Sequence, residues 1–454
     1  MVNKDNDKND CKQTSLNLFS VQNKPIELSF TGEKISSDGG LLLLKELENQ
    51  INIIRDFSSC IEDGRDQRYI DHTIESLVSQ RVYQIAAGYE DANDCNSLRN
   101  DAILKLCSDQ LPETGRDLGS QPTMSRFENS VRRSELYRIA KMFVSNFISS
   151  YESEPKVIII DPDDTNHTAY GDQLQIEFNN YYGDYVFMPL HIYEGLSGKL
   201  ITTILKPGRR SKSVNVFAIL KRIIQLLREH WKDTLIIVRG DSHFHCPELT
   251  SYSKSDGKII TITGLTGNSR LNKLSETTIN SAKKQFEKTQ KPVKFYHSFG
   301  YKADSWEEEE RVIVKVEVNS MGTNIRYIAT NNWEFRTRQM YEMGYCARGT
   351  MELHIKDHKA YLKSDRSSCH KFEANQVRLF LHSVAYVLVH TLQKEVLRGT
   401  EFANSTMQTV RLKVFKTAAK VKELKTKIKI EFPKTSTVRD IQTKAFNIFE
   451  VLRC

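Results

Sequence analysis

The sequence predicts an α/β protein of several parts: a helical N-terminal region, then an α/β core that a strand-rich segment interrupts. Three observations predict it. Apolar residues recur at helical spacing from about residue 35 to 148, apolar β-branched runs begin abruptly after Glu154 and Pro155, and dense strand signals fill residues 257–334 before helical texture returns. At 454 residues the chain exceeds the length at which one hydrophobic core stops growing, so more than one unit is expected.

Residues 1–27 are polar and rich in Asn, Lys and Asp, which predicts a loose tail. Residues 28–150 read as a helical region. SSDGGLLLLKELENQINII offers a capping stretch followed by an amphipathic run, and IDHTIESLVSQRVYQIAAGY supplies another. In SQPTMSRFENSVRRSELYRIAKMF, Pro122 and Thr123 mark a helix start, with Arg126, Arg132 and Arg133 along the helical stretch that follows. Such a helix can meet DNA, with Arg126 on the phosphates, although an ordinary surface helix has the same pattern.

A unit spanning 151–256 opens with KVIIIDPDDT, a buried strand running out into acids. YYGDYVFMPLHIYE and KLITTILKP continue it as strands, VFAILKRIIQLLREHW as a helix, and TLIIVRGDSHF as a second buried strand. Residues 257–334 (GKIITITGL, PVKFYHSFGYKA, RVIVKVEVN, NIRYIATN) predict a β-rich insertion with turn signals such as NSMGTN. Residues 335–400 return to helix, and the very apolar QVRLFLHSVAYVLVHTLQ is expected to pack against the sheet. Residues 401–454 form a basic C-terminal segment in which the alternation of KTKIKIEF predicts a short strand or hairpin.

Composition bounds the function. A hydrophobic fraction of 39% and a charged fraction of 27% exclude collagen, wholesale disorder and a disulfide scaffold. Lys and Arg number 65 against 57 Asp and Glu, giving a net charge of +8, which favours polyanionic partners. The eight cysteines form no C-x-x-C pair, as expected of reduced thiols. The polar opening MVNKDNDKNDCKQ and the lack of any membrane-length apolar run predict a cytoplasmic protein with no membrane partner.

The chemistry is carried by carboxylates. Two apolar strands end in acids: Asp161, Asp163 and Asp164 after VIII, and Asp241 after LIIVRG. Acids on neighbouring strands can converge on one point, and hard oxygen ligands suit Mg²⁺ or Mn²⁺. A single acid-tipped strand more often caps a turn, but two together shift the balance. Strand alternation puts Asp161 and Asp163 on one side, so both can face a metal. Farther on, Tyr345, Arg348, Glu352 and Lys359 would fall within an arc of roughly 60° on a regular helix, a face suited to phosphate and DNA backbone. Mixed charges on a solvated face would look similar.

The string YCARGTMELHIKDHK fits Y-x2-R-x3-E-x6-K and resembles the signature of one branch of the bacterial insertion-sequence DDE transposases. SSDGGLLLLKEL, RVYQIAAGYEDANDCNSLRND, SQPTMSRFEN, FNNYYGDYVFMPLHIYEGLSGKLITTILKPG and RGDSHF resemble the insertion-sequence thirteen-eighty group within it, over about residues 28–435. The resemblance implies an RNase H-like catalytic core interrupted by a β-rich insertion and preceded by an N-terminal helical DNA-binding region. It implies a transposase that cuts insertion-sequence ends and joins them to target DNA, with two Mg²⁺ or Mn²⁺ ions per site, DNA as partner and a homodimer in the synaptic complex. Carried over, it makes Asp241 the second acid and Glu352 the third. The first is Asp163, ahead of Thr165, with Asp161 close behind and a further metal ligand. DNA contacts then fall to Tyr345, Arg348, Lys359, Arg239, His243 and Arg126.

Two rivals compete. The hhhhDxDxT pattern also resembles the nucleophile loop of haloacid-dehalogenase phosphatases, with Asp161 as nucleophile and Asp163 as acid/base, but it leaves the Y-R-E-K string without a purpose. His243, His245 and Cys246, or Cys369 and His370, could hold zinc, though at no standard spacing. A transposase decayed to DNA binding alone is the non-enzymatic alternative.

Overall fold

The computed structural model describes residues 16–29, 34–208 and 215–453. Its centre is an eight-stranded mixed sheet of β1 (Val157–Asp164), β2 (Leu190–Glu194), β3 (Leu200–Ile204), β4 (Leu235–Gly240), β5 (Ile259–Leu265), β6 (Val293–Tyr301), β7 (Glu310–Asn319) and β8 (Gly322–Thr330). The order across it is β6-β7-β8-β5-β4-β1-β2-β3. β1, β4 and β5 run parallel, β2 is antiparallel to β1, and β3 is antiparallel to β2. The register sets Ile158 beside Ile236 and Ile160 beside Val238.

Alternation along β1 sorts its side chains between two faces. Ile158 and Ile160 join Ile192, Ile201 and Val238 in a core closed by Leu220, Ile223, Ile224 and Leu227 of helix Val216–His230. Asp161 and Asp163 fall on the opposite face, across from Tyr193 and His191 of β2. That face is covered by helix Phe372–Thr391, where Ser383 bonds Thr203 of β3 at 2.8 Å and the Tyr386 ring lies 5.3 Å from that of Tyr193. Sixteen of the 20 residues of this helix are buried, because it lies between the sheet and the N-terminal helices rather than at the surface.

The strand-rich residues do not form a separate body. β8 pairs antiparallel with β5, and β7 and β6 follow, so the same sheet continues. Between β5 and β6 lie two helices, Ser269–Leu274 and Glu276–Thr289, whose Leu271 and Ala282 pack on Val312, Val314 and Val316.

The N-terminal helical region and the C-terminal segment, expected as separate parts, share one core. Leu43, Phe57, Val82 and Phe143 belong to the same buried cluster as Val384, Phe415, Val421 and Phe449. Strand Ala419–Glu423 pairs with both Ile428–Glu431 and Ile35–Ser36. SSDGG therefore does more than cap a helix. A Cβ on Gly40 would stand 2.0 Å from the Val414 carbonyl oxygen, so only glycine permits this approach. Asp38, 1% exposed, accepts from the Tyr89 hydroxyl and pairs with Lys416 at 2.6 Å. The closing helix Arg439–Arg453 was hidden by its polar composition, yet Ala445 and Phe449 are buried. Of the expected polar tail, residues 1–15 lie outside the described residues, while Leu16–Val21 and Lys24–Leu28 form a β-hairpin. Among the described residues no helix is long and apolar enough to cross a membrane.

A buried ionic network fastens the N-terminal helices to helix Phe372–Thr391. Glu128 lies 3.4 Å from Arg81 and 3.6 Å from Arg378, all three at most 5% exposed. Arg81 also donates to the carbonyls of Tyr89, Glu90 and Asp91. Removing the shared acid strands two guanidiniums away from water, which costs about 3–5 kcal/mol for a broken buried pair. Glu128→Ala is therefore expected to lower the thermal unfolding temperature by several degrees in scanning calorimetry, while Glu128→Gln loses less.

Candidate active site

The acid-bearing ends of β1 and β4 lie side by side because the two strands are parallel neighbours. Asp161 is fully buried and forms a bidentate pair with Arg239 of β4, at 2.8 and 2.5 Å. Arg239, 2% exposed, donates its remaining arm to the Gly344 carbonyl at 2.9 Å. Gly195 makes room for the pair, since a Cβ there would stand 2.5 Å from both side chains. Both residues named for the site, Asp161 for a metal and Arg239 for DNA, are thus engaged with each other in the interior.

Two residues beyond each member of this pair lies a candidate acid, Asp163 after Asp161 and Asp241 after Arg239. Burial pushes the Asp163 carboxyl up to about 6; Arg348, with a nitrogen 3.6 Å away, pulls it down, and the like charge of Asp241 pushes it up again. Asp164 pairs with Lys206 at 2.7 Å. Asp241 accepts from the His243 backbone N–H at 2.7 Å, and the His243 imidazole, 72% exposed, stands 3.2 Å from it.

The residues of the Y-R-E-K string do not share one regular helical face. The run from Thr337 to Tyr361 passes through α, π, 3₁₀, α and π turns, which breaks the 100° step that projection onto an ideal helix requires. Tyr345 reaches toward β5: a Cβ on Gly264 would stand 2.9 Å from its hydroxyl and 3.2 Å from the Asp241 carbonyl carbon, so a glycine is needed where these three meet. Arg348 faces Asp163, and its Nη1 is buried without a hydrogen-bond partner. Lys359 donates to the Asn166 carbonyl at 2.5 Å and to its Oδ1 at 2.9 Å, fixing the loop that leaves β1. Glu352 is exposed on helix Gly349–Lys356, anchored beneath by buried Met351. The structure thus brings Asp163, Asp241, Tyr345 and Arg348 together, directs Lys359 from the turn Asp357–Tyr361 onto the adjoining loop and leaves Glu352 facing solvent.

Arg126 lies far along the chain on helix Gln121–Ser130, exposed beside a cavity it shares with Arg65, Arg99 and Thr123. Among the described residues no three His, Cys, Asp or Glu side chains cluster as a ready metal cage. Two residues of the zinc alternative are engaged elsewhere: His245 is tied to Thr263 at 2.8 Å and packed against Trp306, and Cys369 lies against Glu128 and Arg378. The donor set nevertheless fits a hard divalent ion in part. Two hard oxygen donors converge, and the mutual repulsion of Asp163 and Asp241 is what a cation would relieve.

Several participants had little sequence signal. Lys206 is a lone lysine after β3, and Gly264 one glycine in an apolar strand. Tyr182 belongs to an aromatic turn, and it lines with Asp164 and Asp241 a cavity of about 730 Å³. His191 is fully buried opposite Asp163 with neither ring nitrogen bonded.

Residues 19–454 match the family described as "Transposase DDE domain group 1". No curated protein matches the sequence. Among solved structures the chain is similar to the piggyBac transposase in its synaptic complex with hairpin DNA, at 11% identity and a TM-score of 0.48, over 85% of this chain and 82% of that one.

The raised Asp163 carboxyl sets a pH dependence. Its folded value of about 6 lies above the ordinary 3.8, so between these limits the folded protein holds the extra proton. The stability this contributes is present at low pH and lost as pH rises through the window. Asp163→Asn cannot ionise, so in EDTA at pH 7 it is expected to unfold roughly 3 °C above the parent protein, with the gap closing toward pH 4. Calorimetry at both pH values checks this; a gap that persists at pH 4 contradicts it.

Proposed function

The chain belongs to the DDE transposase family, group 1, and from that membership we propose that it cuts the ends of an insertion sequence and joins them to target DNA through Asp163, Asp241 and Glu352. The observation that carries the reading is the convergence of Asp163 and Asp241 from adjacent parallel strands, with Arg348 against the first and Tyr345 against the second. The order β3-β2-β1-β4-β5, with β2 alone antiparallel, supports an RNase H-like core; residues 257–334, read as its β-rich insertion, supply β5 to that order and continue the sheet through β6–β8.

Asp163 and Asp241 would hold divalent ions, Mg²⁺ or Mn²⁺ and two per site, with Glu352 as the third donor. Bound ions of this kind lower the pKa of an attacking water or 3′-hydroxyl and stabilise the leaving oxygen of an in-line displacement. The chain's own residues position the DNA. Arg348, with its unbonded nitrogen in the site, suits a phosphate oxygen. His243, exposed beside Asp241, suits the backbone of the same strand. Lys359 acts one step away by holding the loop behind Asp163. Arg126, exposed on helix Gln121–Ser130, suits the duplex outside the site. A homodimer would bring two ends together, and the bacterial cytoplasm is the expected setting.

The phosphatase reading meets a specific obstacle: its nucleophile, Asp161, is fully buried and bonded to Arg239 through both oxygens. The direct test incubates the protein with linear DNA carrying the flanking element ends and Mg²⁺ or Mn²⁺. Metal-dependent cuts at the ends are expected, abolished by Asp241→Asn and by Glu352→Gln with binding of the ends retained. Binding without cutting by the parent protein indicates a decayed transposase, and phosphatase activity lost with Asp161→Asn overturns the proposal.

A further inference from the structure

Between β1 and β2 the chain forms a small three-stranded sheet, His167–Thr168, Glu177–Asn179 and Asp184–Phe187, in the order that places the last strand in the middle. Its hairpin Glu177–Phe187 carries aromatic side chains to the surface: Tyr181 is 88% exposed, Tyr185 54% and Tyr182 38%, with Tyr170 on the preceding loop. Scattered exposed aromatics need no explanation, but a cluster on one hairpin marks a contact surface.

The hairpin tip is held in shape. Gly183 adopts φ +67°, its N–H donates to the Asn179 carbonyl at 2.8 Å, and the Tyr181 N–H donates to Asn179 Oδ1 at 3.0 Å. The Asn179 amide is bonded in turn to the Gly208 carbonyl at 2.8 Å, which ties the tip to the segment after β3. Asn179 therefore fixes both the turn and its seat, and Tyr181 and Tyr182 project from it. Their rings meet edge to face, 4.9 Å apart at 89°.

Both tyrosines line the cavity of about 730 Å³ that also contains Asp164, Lys206, Asp241 and His243, large enough for a nucleotide. The acids are near enough that, after burial and Tyr181, the charges of Asp163, Asp164 and Asp241 hold the Tyr182 hydroxyl above its ordinary range. A duplex keeps its bases stacked on one another, so aromatic rings beside a strand-cutting centre gain a partner only from a base that has left the stack.

We propose that this hairpin is a single-strand clamp: Tyr181 and Tyr182 stack on unpaired nucleobases next to the bond that Asp163 and Asp241 act on. The inference rests on the transposase reading for its setting, but stacking itself needs neither metal nor chemistry. The rings select for an exposed π-face and not for sequence, and the cavity admits one or two bases beside the acids.

The test uses the full chain and a single-stranded thymidine 12-mer carrying one 5-iodouracil, in EDTA, with a duplex of the same length for comparison. Photocrosslinks are expected on residues 177–187. Tyr181→Ala with Tyr182→Ala should weaken single-strand binding at least about fivefold and leave duplex binding unchanged, while Tyr181→Phe with Tyr182→Phe retains it. Crosslinks confined to other segments, or unchanged single-strand affinity in the alanine protein, overturn the clamp. So does dissociation of a dimer on making the alanine changes, which would assign the face to a second copy of the chain. Metal-dependent cutting by the parent protein alongside a failed clamp test leaves the transposase reading intact; absence of cutting with tyrosine-dependent single-strand binding does the reverse.

Discussion

The Asp161–Arg239 pair is the constraint on which the site depends. Two charges taken fully out of water are costly unless they satisfy each other, and here the bidentate geometry does so across the junction of β1 and β4. The remaining arm of Arg239 reaches Gly344 and thereby the helical run that carries the Y-R-E-K residues. One guanidinium therefore joins two strands and a helix. Because Asp163 and Asp241 follow the two partners at the same two-residue interval, the buried pair determines where these half-buried acids stand.

Around that junction the same chemistry is used for opposite ends. Asp161 is paired through both oxygens with Arg239, whereas Asp163, on the same face of the same strand, retains an unfavourable environment in which burial and Asp241 outweigh Arg348. Arg348 and Lys359 anchor the helical run to β1 and its loop, and Tyr345 packs it against β5 at Gly264. Glu352, exposed between these anchors, sits on a segment whose backbone is fixed on both sides. Local turns of π and 3₁₀ type are the means by which these side chains reach different strands.

Much of this was legible in the sequence. VIIIDPDD and LIIVRGD read as buried strands tipped by acids because β-branched runs ending in Asp admit few other structures, and Tyr345, Arg348, Glu352 and Lys359 stood out by spacing. What could not be read was non-local. The spacing to Thr165 favoured Asp163 over Asp161, but nothing in the string DPDD announces that the neighbouring strand brings Arg239 to one and not to the other. The arc of four side chains presumed a regular helix, and no residue in YCARGTMELHIKDHK announces a π turn. The union of N- and C-terminal segments in one core was likewise invisible, since the approach of Val414 to Gly40 joins residues hundreds of positions apart. The tyrosines of NNYYGDY read as strand residues, and only their exposure shows that the core does not use them.

The proposed function turns on a division of labour within one strand, in which Asp163, rather than the Arg239-paired Asp161, would meet a cation together with Asp241. Mn²⁺ binding followed by electron paramagnetic resonance, on variants shown to be folded by circular dichroism, tests it most directly. Loss of bound Mn²⁺ in Asp163→Asn and Asp241→Asn, with retention in Asp161→Asn, is the result expected. Retention in Asp163→Asn with loss in a folded Asp161→Asn would contradict it.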